Sequence, residues 1–324
     1  MILVTGASGF LGTELLKQLI NENENVRALK RSNSVLRMSD ELKNKIEWVD
    51  GDVTDVQSVE DAMQGCSKVY HCAAIVSFNP KAAAHMMQVN VNGTANVVNT
   101  ALHLGIEKLL YVSSIASLGR SLGNDHLTEE SKWEESKLNS KYALSKYGGE
   151  MEVWRGIAEG LNAVIINPSV IIGAGKWDEG TAKFFNDAWK GIPFYTKGVT
   201  GFVGVKDVAA VMIHLMESDI VNERFIVNAE NMVYQDFFNQ VCDGLGKPHP
   251  KIHMPAWMGE LAWRAEWLRS KLTGKPPMAQ KENVRVALTK FYYSSEKLKQ
   301  KIGFEFTPMK KVIAETCEEF LKSV

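Results

Sequence analysis

Tyr142-Ala143-Leu144-Ser145-Lys146 sets a phenol and an ammonium four residues apart, so a helix through them projects both from one face. That pair suits proton exchange at a carbonyl. When a hydride reaches a carbonyl carbon, the oxygen left behind needs a positioned acid. A tyrosine with its ordinary pKa of about 10 is a poor base at neutral pH, and bringing it to about 7 takes roughly 4 kcal/mol. The Lys146 ammonium can supply part of that field. Ser113 and Ser114 end the apolar run Leu109-Leu110-Tyr111-Val112, and either hydroxyl can hydrogen-bond the substrate oxygen. A second pair at the same spacing, Tyr293 and Lys297, follows no strand that ends in serines and is set aside.

The partner for such chemistry is written at the start of the chain. Thr5-Gly6-Ala7-Ser8-Gly9-Phe10-Leu11-Gly12 has glycines three residues apart, after the apolar run Ile2-Leu3-Val4 and before leucines at helical spacing. Gly6 makes the tight turn, Gly9 lets backbone approach a pyrophosphate, and Gly12 lets the helix pack close to the sheet; the helix N-terminus then faces the phosphates. A glycine-rich turn that binds nothing would carry the same glycines, but the strand-turn-helix context is the one the motif requires. About 20 residues on, an NAD site places an acid for the ribose 2′-hydroxyl. Here Lys30 and Arg31 occupy that place and Asp40 and Glu41 come later, which favours NADP, with NAD as the alternative; solvated loop charges would look the same. Asp52 and Val53 follow the third strand, where they meet an adenine or, for Asp52, cap the next helix.

These motifs need a scaffold of alternating elements. Strands are expected at 26–29, 46–49, 69–72, 109–112 and 163–166, with helices at 56–63, through Val89 to Leu102, and at 142–158. Repeated β-α units predict an α/β fold, a Rossmann-type doubly wound parallel sheet covered on both faces. Glycines and prolines break up the chain after Pro168, as in a smaller, mostly C-terminal substrate-binding lobe. The expected division is a dinucleotide-binding core at 1–168, rejoined by 202–228, and a lobe made of 169–201 and 229–324.

Composition narrows the partners. There are 37 Lys plus Arg against 38 Asp plus Glu, a net charge of −1, so no cationic excess is available for a nucleic acid. No stretch reaches the roughly 20 apolar residues of a membrane helix, and no export signal is visible. Four scattered cysteines without a CxxC pair fit a reducing compartment, and the expected location is cytoplasmic. His249 and His253 lie among prolines that forbid a ligating helix, so no metal site is expected. His71 is expected to order backbone, and Asp207 to cap the helix after Val205.

Taken together, Gly6/Gly9/Gly12, His71-Cys72-Ala73-Ala74, Asn90-Val91-Asn92-Gly93-Thr94, Ser113-Ser114, Tyr142/Lys146, Asn167-Pro168-Ser169 and Val205-Lys206-Asp207-Val208 resemble the extended short-chain dehydrogenase/reductases over residues 1–215. The resemblance implies that Tyr142 is the acid/base, that Lys146 binds the nicotinamide ribose and lowers the tyrosine pKa, and that Ser114 is the catalytic serine. It implies that Asn90 helps position the lysine, that Pro168 and Ser169 flank the nicotinamide beside Ala73 and Ala74, and that helices 82–104 and 138–158 pair two copies into a homodimer. The segment 26–31 and the tail 291–304 look like the dihydroflavonol reductase and 3β-hydroxysteroid dehydrogenase branch, which acts on ketones and alcohols. Nucleotide-sugar epimerases and dehydratases with bound NAD share the same motifs, and a non-catalytic dinucleotide sensor is a third possibility. Few arginines follow residue 155, whereas Met254, Trp257, Met258, Leu261, Trp263, Trp267 and Leu268 form an apolar stretch that suits a hydrophobic small-molecule substrate or packs as core.

Overall fold

The computed structural model describes residues 1–120, 123, 125–136, 138–273 and 281–324. Ile2–Thr5 (β1) leads through the glycine turn into Phe10–Asn21 (α1), followed by Val26–Lys30 (β2), Ile46–Asp50 (β3), Val56–Met63 (α2) and Lys68–His71 (β4). A helical run from Ala83 to Leu104 comes next. Its middle, Gln88–Asn92, is wound as a π-helix, and Gly93–Leu104 (α3) ends it. Lys108–Val112 (β5), Lys141–Ala158 (α4) and Ala163–Pro168 (β6) continue the alternation. Beyond them lie Val170–Ile172 (β7), Lys183–Lys190 (α5), Val199–Gly204 (β8), Val205–Glu217 (α6), Glu223–Val227 (β9), Glu230–Val233 (β10) and Tyr234–Leu245 (α7).

The large sheet has seven strands in the order β9-β6-β5-β4-β1-β2-β3, with every neighbouring pair parallel. Its inner strands β1, β5 and β6 carry apolar runs because both faces are covered. Ile2 and Val4 point into one core with Leu15 and Leu19 of α1 and Val208 and Met212 of α6, while Leu3 between them points into the other with Val59, Val97 and Val153. The chain builds outward from β1 to β3 and then from β4 to β9, so the crevice between β1 and β4 is the topological switch point, where open α/β sheets bind ligands.

The smaller lobe is a three-stranded sheet, β10-β8-β7, over an aromatic core in which the rings of Phe202 and Phe237 stack at 4.5 Å. The C-terminal part does not belong to it throughout. Leu298 of Glu296–Ile302, with Phe304 and Phe306, packs back on the main core, where Phe304 meets the ring of His214. Asp207 explains the return. It lies inside α6, whose N-cap is Gly204, and its carboxylate accepts from the Thr307 amide and hydroxyl at 2.8 and 2.9 Å. It pins the tail and does not cap the helix.

Ala256–Thr273 (α8) carries the tryptophan stretch. Trp257 and Leu261 are exposed there, so they are not core; the side chains of Trp267 and Leu268 lie outside the described residues. The four cysteines are free. Among the described residues no helix is long and apolar enough to cross a membrane, and no group of three His, Cys, Asp or Glu is placed to hold a metal.

Candidate active site

The glycine turn tests whether a dinucleotide fits. Gly6 has φ +67°, and a Cβ there would lie 2.5 Å from the Ala73 amide nitrogen. At Gly12 it would lie 2.3 Å from the Gly6 carbonyl oxygen, so both positions demand glycine. Gly9 is the N-cap of α1 and offers no side-chain cap, and the first turn holds no acid. The N–H groups and positive dipole end therefore remain available to an anion. Gly6, Ser8 and Gly9 form one wall of a cavity of about 200 Å³; Lys30, Arg31, Asp52 and Val53 form a second, and Ala73 and Ala74 a third. The residues fit a dinucleotide. Phe10 lies outside that lining and packs on Gly173 and Gly175, while Leu11 and Gly12 are buried in α1.

Charges around the cavity are less simple than the sequence implies. Lys30 is ion-paired to Asp50, its register partner on β3. Asp50 lies near in space and far in sequence. Arg31 is exposed and has no ion pair among the described residues. The Asp52 carboxylate accepts from the amide and hydroxyl of Thr54 at 2.9 and 2.8 Å in the turn before α2, but the helix is capped by Asp55, which accepts from the Ser58 amide, and not by Asp52.

The candidate catalytic residues lie on α4 and at the end of β5. Ser140 caps α4 by accepting from the Ala143 amide at 3.0 Å, and this fixes the start of the helix that carries Tyr142 and Lys146. Tyr142 is half-buried, with its ring edge-on to Phe78 at 5.9 Å. Lys146 is buried; its ammonium donates to the Val112 carbonyl at 2.7 Å and lies 4.8 Å from the Tyr111 ring. Burial lowers the Lys146 pKa to about 8, with the Glu150 and Cys72 charges opposing. Burial pushes the Tyr142 phenol up, and hydrogen bonding from Ser114 opposes it. The Lys146 ammonium is turned to the Val112 carbonyl and makes no hydrogen bond to the phenol among the described residues.

Ser114 and Ser113 separate cleanly. Ser114 Oγ accepts from the Ala116 amide at 3.1 Å and faces Tyr142, whereas Ser113 donates to Glu150 at 2.6 Å inside the core. Asn90 does not touch Lys146. In the π-helical turn its side chain grips both backbone groups of Ile75 at 2.7 and 2.9 Å and donates to Ser145 at 2.9 Å. It thus ties the cavity wall at 73–75 to the residue beside the lysine. Pro168 ends β6, and the buried Ser169 hydroxyl has no hydrogen-bond partner among the described residues.

His71 links the two halves. Its Nδ1 meets Thr5 Oγ1 at 2.7 Å and its Nε2 meets Thr94 Oγ1 at 3.0 Å. Thr94 donates to the Asn90 carbonyl and Thr5 accepts from the Ala73 amide, so the pattern assigns the proton to Nε2. Burial holds this imidazole neutral, with its pKa lowered to about 3. It orders backbone and does not shuttle protons.

One residue on the catalytic face goes unread in the sequence. Glu150, four residues past Lys146, is fully buried. It accepts from Ser113, Ser117 and Asn167 at 2.6 to 2.8 Å and pairs with Arg224 at 3.0 Å. Gly149 beside it allows the close approach, since a Cβ there would lie 2.4 Å from the Asn90 carbonyl oxygen. The Tyr/Lys spacing extended by four would have found Glu150; nothing local marks its partners.

Comparison with known proteins matches this geometry. The model of the NAD dependent epimerase/dehydratase family matches residues 2–228. A Synechocystis sp. protein provisionally named a dihydroflavonol 4-reductase is 30% identical, covering 98% of this chain and 93% of its own. Cinnamoyl-CoA reductase 1 of Petunia hybrida is 29% identical over 98% and 90%. Among solved structures, gox2253 superposes with a TM-score of 0.83 at 28% identity, covering 100% of this chain and 98% of that one. The NAD complex of Thermus thermophilus UDP-glucose 4-epimerase, at 22% identity and a TM-score of 0.77 over 100% and 99%, shares the fold. The chain therefore belongs to the NAD dependent epimerase/dehydratase family, as an NAD(P)-dependent enzyme of the extended short-chain dehydrogenase/reductase type.

Proposed function

We propose that the protein is an NADP(H)-dependent oxidoreductase that interconverts a ketone or aldehyde and an alcohol on a moderately apolar small molecule. The observation that carries this reading is the Tyr142 phenol set against the Ser114 hydroxyl, one helical turn before the buried Lys146, beside a dinucleotide-sized turn and cavity. When bound, the nicotinamide supplies or accepts the hydride. In reduction, the substrate oxygen takes the proton of Tyr142 Oη while the Ser114 hydroxyl donates a hydrogen bond to that oxygen. Lys146, one turn further along α4, supplies the charge that stabilises the phenolate left behind. Asn90 keeps the cavity wall and α4 in register.

Arg31, with Lys30, supports NADP by placing cations where a 2′-phosphate would lie. One observation favours NAD as a second reading: Asp50 already neutralises Lys30. Larger thermal stabilisation by NADP than by NAD is expected, and the reverse would overturn the cofactor assignment. The exposed Met87, Leu144 and Met151 support pairing of two copies through the helical run at 83–104 and α4; light scattering showing a monomer would refute it. The test of the activity follows NADPH absorbance over a panel of apolar ketones, aldehydes and nucleotide sugars. Net consumption with a carbonyl compound is expected. Product formation from a nucleotide sugar without net consumption would replace this reading with an epimerase.

A further inference from the structure

Arg120 carries a charge that the described protein does not balance. Its Nε and Nη2 donate at 3.2 and 3.1 Å to one oxygen, the Tyr293 phenol, and its guanidinium lies 5.4 Å from the Phe291 ring centroid. No carboxylate pairs with it among the described residues, and the neighbouring groups that act on it are the phenols of Tyr293 and Tyr234. Among the described residues, two of its five N–H donors are engaged. A partly buried cation with no counter-charge is costly unless something anionic completes it.

Its place in the fold points to the substrate. Arg120 follows Gly119, whose φ of +77° turns the chain after the Ser114 segment. Its amide donates to Asn139 Oδ1 at 2.8 Å, next to the residue that caps α4 and three before Tyr142. Tyr293, 2% exposed, is fixed by Asn228 and Asn231, which donate to its carbonyl at 3.0 Å. Asn228 directly follows β9, so the pair stands at the carboxyl ends of β5, β6 and β9, across the sheet from the dinucleotide cavity. Two buried polar atoms at those ends, Ser169 Oγ and Asn228 Oδ1, also lack partners among the described residues.

We propose that Arg120, aimed by Tyr293, is an anion-recognition site of the substrate pocket and takes a carboxylate or phosphate group carried by the carbonyl substrate. The inference rests on the carbonyl chemistry proposed above and gives that substrate its class: apolar body, one anionic end. Charge-assisted bonds to a guanidinium are strong and directional.

Two measurements on the NADP-loaded protein test it. In the first, calorimetry with benzoate and with inorganic phosphate compares the wild type with Arg120→Gln and with Tyr293→Phe. Binding to the wild type is expected, weakened about ten-fold or more by Arg120→Gln and less by Tyr293→Phe, which leaves the charge but removes the oxygen that aims it. Preference for benzoate assigns a carboxylate, and preference for phosphate a phosphorylated substrate. Absence of binding to the wild type, or equal binding to all three proteins, overturns the site. In the second, turnover of 4-formylbenzoate is compared with that of its methyl ester. A kcat/KM at least about ten-fold higher for the acid, carried by KM and reduced in Arg120→Gln far more than the ester's, is expected. Equal kcat/KM for acid and ester overturns the inference and leaves the reductase reading standing. Anion binding as expected without turnover of any carbonyl compound overturns the reductase reading and leaves the site.

Discussion

The two halves of the large sheet are built by different means. Over β1 to β4 the cavity is made by backbone: glycines that exclude a Cβ, an uncapped helix start, and short turns that follow each strand. Over β5, β6 and β9 it is made by side chains that meet from far apart in the chain, as Arg120 and Tyr293 do across 173 residues. The first half offers backbone groups that any dinucleotide can use, with Lys30 and Arg31 at its edge, whereas the second is assembled from side chains joined to it through His71 and Asn90. Between them stands α4, whose one face carries Tyr142, Lys146 and Glu150 in successive turns.

The contrast is easiest to break at Glu150. Replacing it with alanine strips Arg224 of its buried counter-charge and removes one acceptor from Ser113, Ser117 and Asn167, which is expected to cost about 3 kcal/mol of stability in urea unfolding. Because Glu150 also supports the Lys146 charge, the basic limb of the pH profile is expected to move to lower pH; an unmoved limb would make Glu150 purely structural. Gly6→Ala attacks the other half. Its positive φ and the Ala73 backbone 2.5 Å from the new Cβ are expected to cost about 1–3 kcal/mol and to weaken cofactor binding in calorimetry, leaving the Arg120 region intact. The smallest effect belongs to the wild type itself. Lys146 is charged below about pH 8 and neutral above it, so kcat/KM for reduction is expected to be level near pH 7 and to fall as pH rises through 8. A profile flat to pH 10 would remove the lysine charge from the mechanism.

Much of the first half was legible because its signals are local. Glycine spacing, apolar runs and helical periodicity lie within windows of a dozen residues, and they predict the strands to within two residues at either end. The Tyr142/Lys146 pair was legible for the same reason. Asp50 was not, because its closeness to Lys30 depends on strand register; nor was the role of Asp207, whose partner Thr307 lies 100 residues away. The tryptophans of α8 show the limit from the other side: their spacing fits a core, yet Trp257 and Leu261 face outward because no element covers them among the described residues. Arg120 escaped because its pairing with Tyr293 spans 173 residues and no local signal marks it.

The central claim is that Tyr142 exchanges the proton at a site whose cofactor half is built independently. Tyr142→Phe removes the acidic hydrogen and little else, so turnover of the best carbonyl substrate is expected to fall by about 10²–10⁴-fold while NADP affinity in calorimetry stays nearly unchanged. Undiminished turnover in that variant would contradict the account.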